Sequence, residues 1–172
     1  MDKPNPQDIS VKLCTQASVS WNDAGTGAHD VARKAAVATW LAAGQMGSVE
    51  LSLVLGDDAF SRRLNCRYRG IDSPTNVLSF AMDTPTAGLS TASPALAGDV
   101  VIALETLLRE ASAQGKLPTQ HLSHLVVHGV LHLAGFEHSE PASADEMEQL
   151  ETTILGSLGI EDPYNDVCVT AK

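Results

Sequence analysis

From Ser48 onward, Val49, Leu51, Leu53 and Leu55 are interleaved with Glu50, Ser52 and Val54. A period of two puts one face of the segment against a core, which predicts a strand. Ile9, Val11 and Leu13 repeat the pattern near the start of the chain. Asn76 to Met82 and Asp99 to Leu104 are short apolar runs that suit largely buried strands. Four strands are expected.

The pattern switches to helical spacing between the first two of these. His29 to Gln45 is rich in alanine, with Val31, Ala35, Ala38 and Ala42 recurring on one face and Gly44 near the end. Asp57 or Asp58 can N-cap a second helix whose Phe60, Leu64 and Tyr68 form an apolar stripe flanked by arginines. Glu105 to Gln114 predicts a third helix, stopped by Gly115. Thr119, after Pro118, can cap a fourth running to about Ala134, and Ser143-x-x-Glu146 reads as a capping box opening a fifth. The expected fold is α+β, a small four-stranded mixed sheet packed with about five helices.

Composition narrows this to one compact domain spanning 1–172. At 172 residues and 44% hydrophobic, the chain can bury a core of useful size. Residues 1–8 read as a flexible tail, and 83–97, made of Ala, Ser, Thr and Pro with almost no charge, as a mobile surface loop. The first residues lack the basic start and apolar run of a signal peptide, and no apolar stretch nears the roughly 18 residues of a membrane span. A soluble, cytoplasmic protein without a membrane partner is the expectation. Cys14, Cys66 and Cys168 are scattered and odd in number, which indicates free thiols rather than a disulfide framework or a cysteine-zinc knuckle.

The formal net charge of -10 rules out a whole-surface attraction to phosphate, so any contact with nucleic acid must be local. The charge is segregated in a way that permits one. Arg62, Arg63, Arg67 and Arg69 lie close together, whereas Leu117 to Ala171 contains no Lys or Arg.

The chemistry concentrates in His128-Gly129-Val130-Leu131-His132-Leu133-Ala134-Gly135-Phe136-Glu137-His138. Residues four apart on a helix have Cβ atoms roughly 5–6 Å apart, so His128 and His132 can converge on one ion at about 2.0–2.1 Å. Gly135, free to take the left-handed conformation, can end the helix and let the chain fold back to present His138 as a third ligand. A fourth tetrahedral position then stays open for water, whose pKa a bound zinc lowers to about 7. Two histidines at this spacing alone would as readily be ordinary partly buried residues. The third one, and the cost of burying unpaired imidazoles beside Leu125-Val126-Val127, favour one zinc ion per chain. His124 sits one turn before His128 and reads as solvent-exposed, with support of a ligand or competition for the ion as alternatives; His121 adds to the same count. His29 suggests no role.

The spacing equals that of H-E-x-x-H-x-x-G-x-x-H metalloproteases, yet Gly129 stands where their general base would be, which counts against peptide hydrolysis. Glu137 adjoins the third ligand and reads either as a proton-transfer group or as a solvated surface charge.

These residues resemble the YbeY family of bacterial endoribonucleases, whose pattern is H-G-x-L-H-L-x-G-[YF]-[DE]-H. The likeness extends back through Leu64-Asn65-Cys66-Arg67-Tyr68-Arg69-Gly70, Pro74-Thr75-Asn76-Val77-Leu78-Ser79-Phe80 and Gly98-Asp99-Val100-Val101-Ile102. It extends forward through Asp145-Glu146-Met147-Glu148 and Glu161-Asp162-Pro163-Tyr164. It implies a zincin-like α+β fold, a zinc site on His128, His132 and His138, and a role in maturing the 3' end of small-subunit ribosomal RNA and checking small ribosomal subunits. The partners implied are single-stranded RNA, the small subunit and its assembly proteins, not DNA. The family's functional arginine carries over to Arg69, which with His128 is assigned to catalysis. Its planar fork could clamp a phosphate oxygen, the alternative being a structural ion pair. The chain departs from the pattern at Glu137, where Asp is more usual, and at Ala81, where Pro is frequent.

Two rival readings remain at this level. One is a metallopeptidase-like hydrolase, against which Gly129 argues. The other is a non-catalytic ribosome-assembly factor with a structural zinc, which would need Glu137 or Asp99 to close the site.

Overall fold

The structure is a computed structural model that describes residues 9–16, 21–24, 27–45, 48–82 and 94–164. Four strands, β1 (Ile9–Thr15), β2 (Val49–Gly56), β3 (Val77–Ala81) and β4 (Ala95–Ala103), form one mixed sheet in the order β1-β2-β4-β3. β1 and β4 flank β2 in parallel, and β3 pairs antiparallel with β4 as an edge strand. Five helices accompany them: α1 (Ala28–Ala42), α2 (Asp58–Arg69), α3 (Leu104–Ala113), α4 (Pro118–Leu133) and α5 (Pro141–Ser157). The α+β expectation is met. No described helix is long and apolar enough to cross a membrane.

The core lies between the sheet and α4. Leu51, Leu53 and Leu55 of β2 and Val100 and Ile102 of β4 have 4% exposure or less, and Leu122, Val126, Val130 and Leu131 of α4 are fully buried against the cluster they form. α4 also contacts α1, α3 and α5. A helix enclosed on so many sides is a rigid platform for whatever its remaining face displays.

The local signals explain most boundaries. Asp57 caps α2 by accepting a hydrogen bond from the Phe60 amide at 2.7 Å. Two expected caps are corrected. α4 begins at Pro118, with Thr119 inside its first turn, and the Leu117 amide donates to Gln120 Oε1 at 3.3 Å. α5 begins at Pro141, two residues before Ser143, whose hydroxyl bonds the backbone of Glu140. In both, proline takes the first helical position, where its missing N–H costs nothing.

Two further expectations change. β4 starts at Ala95, so the last residues of the expected 83–97 loop belong to the sheet, where pairing with Val49 and Glu50 overrides a weak strand propensity. Residues 83–93, like the expected tail at 1–8, lie outside the described residues. In α2 the apolar stripe is not the buried face. Ser61 and Asn65 are buried instead, bonded to the backbone of Thr75 and Ser73, while Tyr68 is 59% exposed.

Candidate metal centre and adjoining cleft

α4 displays His128 and His132 on the side that does not face the core, and the turn after it brings in the third histidine. Gly135 takes φ 93°, the Gly135 amide donates to His132 O and the Phe136 amide to Leu131 O. Only a residue without a Cβ adopts that conformation at little cost. Gln45, just after α1, donates through Nε2 to Ala134 O at 2.9 Å and ties the turn to a neighbouring helix.

The result is a convergent triad. One ligand-capable nitrogen from each of His128, His132 and His138 lies within 4.8 Å of the others, and the Nε2 atoms of His128 and His132 are 3.2 Å apart. Two imidazoles bound tetrahedrally to one ion at roughly 2.0–2.1 Å would be separated by roughly 3.3 Å. The donor set therefore fits a zinc-type ion without moving α4.

The far nitrogens are held as a metal site requires. His128 Nδ1 bonds Glu151 Oε1 at 2.7 Å, and His132 Nδ1 bonds Phe136 O at 2.9 Å. With protons on Nδ1, both rings turn lone pairs at Nε2 toward the common point. Burial, and then the neighbouring His128 and His138, hold the pKa of His132 below its ordinary value, so the ring is neutral and able to ligate.

Glu151, on α5, was not singled out from sequence. It has no exposure, and it also bonds His124 Nε2 at 3.1 Å and the Tyr164 hydroxyl. Burial alone would raise its pKa, but hydrogen bonds from His124, His128 and Tyr164 outweigh this and bring it to about 2. Tyr164 moves up, through burial and the adjacent Glu151 charge. His124 is thus not solvent-exposed as expected; its ring is held by the carboxylate that supports His128. His121 is buried and bonds Glu110 Oε2 at 2.8 Å. Glu137 has a side chain 70% exposed and 4.0 Å from His132 Nδ1, the geometry of a solvated charge. Among the described residues neither it nor Asp99 joins the triad as a fourth ligand.

Gly129 has a steric reason. A Cβ there would lie 2.6 Å from Val100 Cγ1 and 3.1 Å from Ser79 Oγ. α4 presses on the sheet at this point, and a glutamate in place of the glycine would force Val100 or its neighbours to shift.

The arginines divide. Arg62 is held by Asp72 in a two-pronged ion pair, both contacts at 2.7 Å, Arg63 lies over the Phe60 ring and Arg67 over the Tyr68 ring. Tyr68 in turn packs edge-on against Phe80 of β3. Arg69, the last residue of α2, is exposed, and its side chain has no ion-pair or hydrogen-bond partner among the described residues. A cleft of about 1050 Å³ opens beside His128, walled by the end of α3, one face of α4 and residues 160–164.

Comparison with known proteins shows the family and the fold. The family described as Endoribonuclease YbeY matches residues 16–159. An Endoribonuclease YbeY of Paramagnetospirillum magneticum is 55% identical over 121 residues, covering 70% of this chain and 74% of that protein. One from Rhodospirillum rubrum is 44% identical over 170 residues, covering 94% and 85%. The solution structure of TM1509 from Thermotoga maritima shares the fold, with a TM-score of 0.52 at 19% identity, covering 95% of this chain and 99% of that one.

Proposed function

The chain belongs to the YbeY endoribonuclease family, and from that premise we propose that it is a zinc-dependent endoribonuclease that cuts single-stranded RNA. Its place of action in this reading is the cytoplasm, where it matures the 3' end of small-subunit ribosomal RNA and takes part in quality control of small ribosomal subunits. The observation that carries the reading is the convergence of His128, His132 and His138, with the far nitrogens of the first two already bonded.

In this reading the three histidines hold the ion, which when bound supplies Lewis-acid stabilisation of charge on the scissile phosphate. Glu151 and the Phe136 carbonyl orient the rings of His128 and His132. Arg69 clamps a phosphate oxygen; among the described residues no carboxylate pairs with it, which leaves the guanidinium fork available for that contact, unlike Arg62. Gly129 leaves no carboxylate where a peptidase needs its base, which favours RNA over peptide as substrate.

The test is metal analysis of freshly purified protein together with cleavage of labelled single-stranded RNA, before and after chelation and in His132→Ala. About one zinc-type ion per chain is expected, with metal and cleavage both lost in the variant. Undiminished zinc content or cleavage in purified His132→Ala would overturn the reading.

A further inference from the structure

The cleft beside His128 differs from an ordinary phosphate-binding groove in the sign of its lining. Its walls carry Glu110, Glu161 and Asp162 against a single cation, Lys116, whose Nζ donates to Pro163 O at 3.2 Å. Away from the end next to His128, a phosphodiester would meet net repulsion there.

Glu110 is presented in a fixed geometry. Asn76 Nδ2 donates to both its carboxylate oxygens, at 3.0 and 3.3 Å, and His121 bonds Oε2 at 2.8 Å. The Asn76 amide is itself oriented, because its Oδ1 accepts from the Val77 amide at 2.7 Å. His121 is 4% exposed, and burial lowers its pKa, so the ring donates as neutral imidazole and leaves the Glu110 charge uncancelled. The Glu110 side chain remains one-third exposed, which keeps acceptor capacity open toward the cleft.

Between the polar Gln114, Gln120, His124 and His128 the lining also offers apolar surface: Val77, Leu125, Ile160 and the half-exposed ring of Tyr164. A volume of about 1050 Å³ is ample for a nucleobase and its ribose. What fits an anionic acceptor beside apolar and aromatic surface is a neutral planar ring that carries an N–H donor. Adenine, cytosine and guanine have an exocyclic amine that stands out from the ring; the free N–H of uracil, at N3, is flanked by two carbonyls that a carboxylate repels.

We propose that this cleft is a base pocket beside the metal centre that takes an unpaired nucleobase bearing an exocyclic amino group, donated to Glu110, in preference to uracil. The choice of a nucleobase as occupant rests on the endoribonuclease reading. In a duplex the amino group is engaged in pairing and the base is stacked, so only single-stranded RNA can fill the pocket.

The test is fluorescence anisotropy on the zinc-loaded full chain with short labelled 2′-O-methyl oligocytidylate and oligouridylate, probes that resist attack by their own ribose. A hydrogen bond to a charged acceptor predicts tighter binding of oligocytidylate by about tenfold or more. Glu110→Gln should reduce that ratio severalfold while oligouridylate binding persists. Because Glu110 also holds Asn76 and His121, a second comparison leaves the protein unaltered: replacing cytidine by its analogue without the amino group should lower affinity to that of uridine. Equal affinity for the two oligonucleotides, or for cytidine and its analogue lacking the amino group, overturns the pocket. Cleavage of ordinary RNA by the same preparation is scored separately. Cleavage with equal affinities refutes the pocket alone, and a tenfold preference without cleavage refutes the nuclease reading alone.

Discussion

His128 Nδ1 and Glu151 Oε1 lie 2.7 Å apart across the contact between α4 and α5, so a carboxylate with no exposure sets the orientation of a candidate ligand on another helix. Glu151→Gln keeps the volume but replaces one acceptor oxygen by an N–H₂ group that faces donors from His124, His128 or Tyr164. Metal affinity should fall about 10–100-fold, the usual effect of losing such support. Competition with a chromophoric chelator measures it, and an unchanged affinity would show that the ring needs no anchor.

Gly129→Ala separates helix propensity from packing. In an exposed helix interior the change would gain about 1 kcal/mol. Here the added Cβ would sit 2.6 Å from Val100 Cγ1 and 3.2 Å from Val77 Cγ2, both on strands fixed by their pairing. Overpacking wins, with an expected loss of about 1–3 kcal/mol in chemical denaturation. A variant as stable as the parent would mean that β3 yields more easily than its register suggests.

Acid should weaken the fold in two separate windows. The pKa of His121 is lowered, first by burial and only partly restored by Glu110, with His124 and Lys116 opposing protonation. Below the ordinary histidine pKa of about 6.5 the unfolded chain binds a proton that the folded one refuses, so stability declines as pH falls through and below that value. Glu151, brought to about 2 in the fold, adds stability above the ordinary carboxylate range that is lost only as pH falls further toward about 2. Denaturation midpoints across pH test the first window, which should flatten in His121→Gln; an unchanged slope in that variant would assign the window to other groups.

Removal of single arginines should have unequal effects. Arg69→Ala is expected to abolish RNA cleavage with metal content intact. Arg62→Ala should have the smallest effect on binding, because its fork is already taken by Asp72. With Arg63, Arg67 and Arg69 left to meet phosphates, the logarithm of affinity for single-stranded RNA should fall with the logarithm of salt at a slope of roughly -2. A slope typical of a ten-contact binder, or equal affinity for duplex, would place the RNA elsewhere on the surface.

The convergence of the three histidines was legible in sequence because its parts are local: one helix face, one glycine turn and one residue beyond it. Glu151 was not, since it lies 23 residues from His128 and meets it only when α5 packs on α4. A signal was nevertheless present. Met147, Glu151, Ile154 and Leu155 share the buried face of α5 at helical spacing, and a carboxylate inside an apolar stripe demands partners. The half-buried stripe of α2, with Tyr68 exposed, misled for the converse reason. Its buried side is closed by Ser61 and Asn65 bonding backbone groups, a contact with no hydrophobic pattern. Likewise, nothing in the sequence between Asp57 and Asp72 tells which arginine is captured, because the Arg62–Asp72 pair depends on how the chain turns after α2.

The remote origin of Glu151 orders events during synthesis. The three histidines leave the ribosome before the helix that steadies them, and the tyrosine that bonds Glu151 lies 13 residues further on. A growing chain can thus expose His128, His132 and His138 while Glu151 and Tyr164 are still in the exit tunnel. The support of His128 must await α5 and the segment after it, so the candidate site emerges in a latent form and matures only once residues 141–164 have left the tunnel.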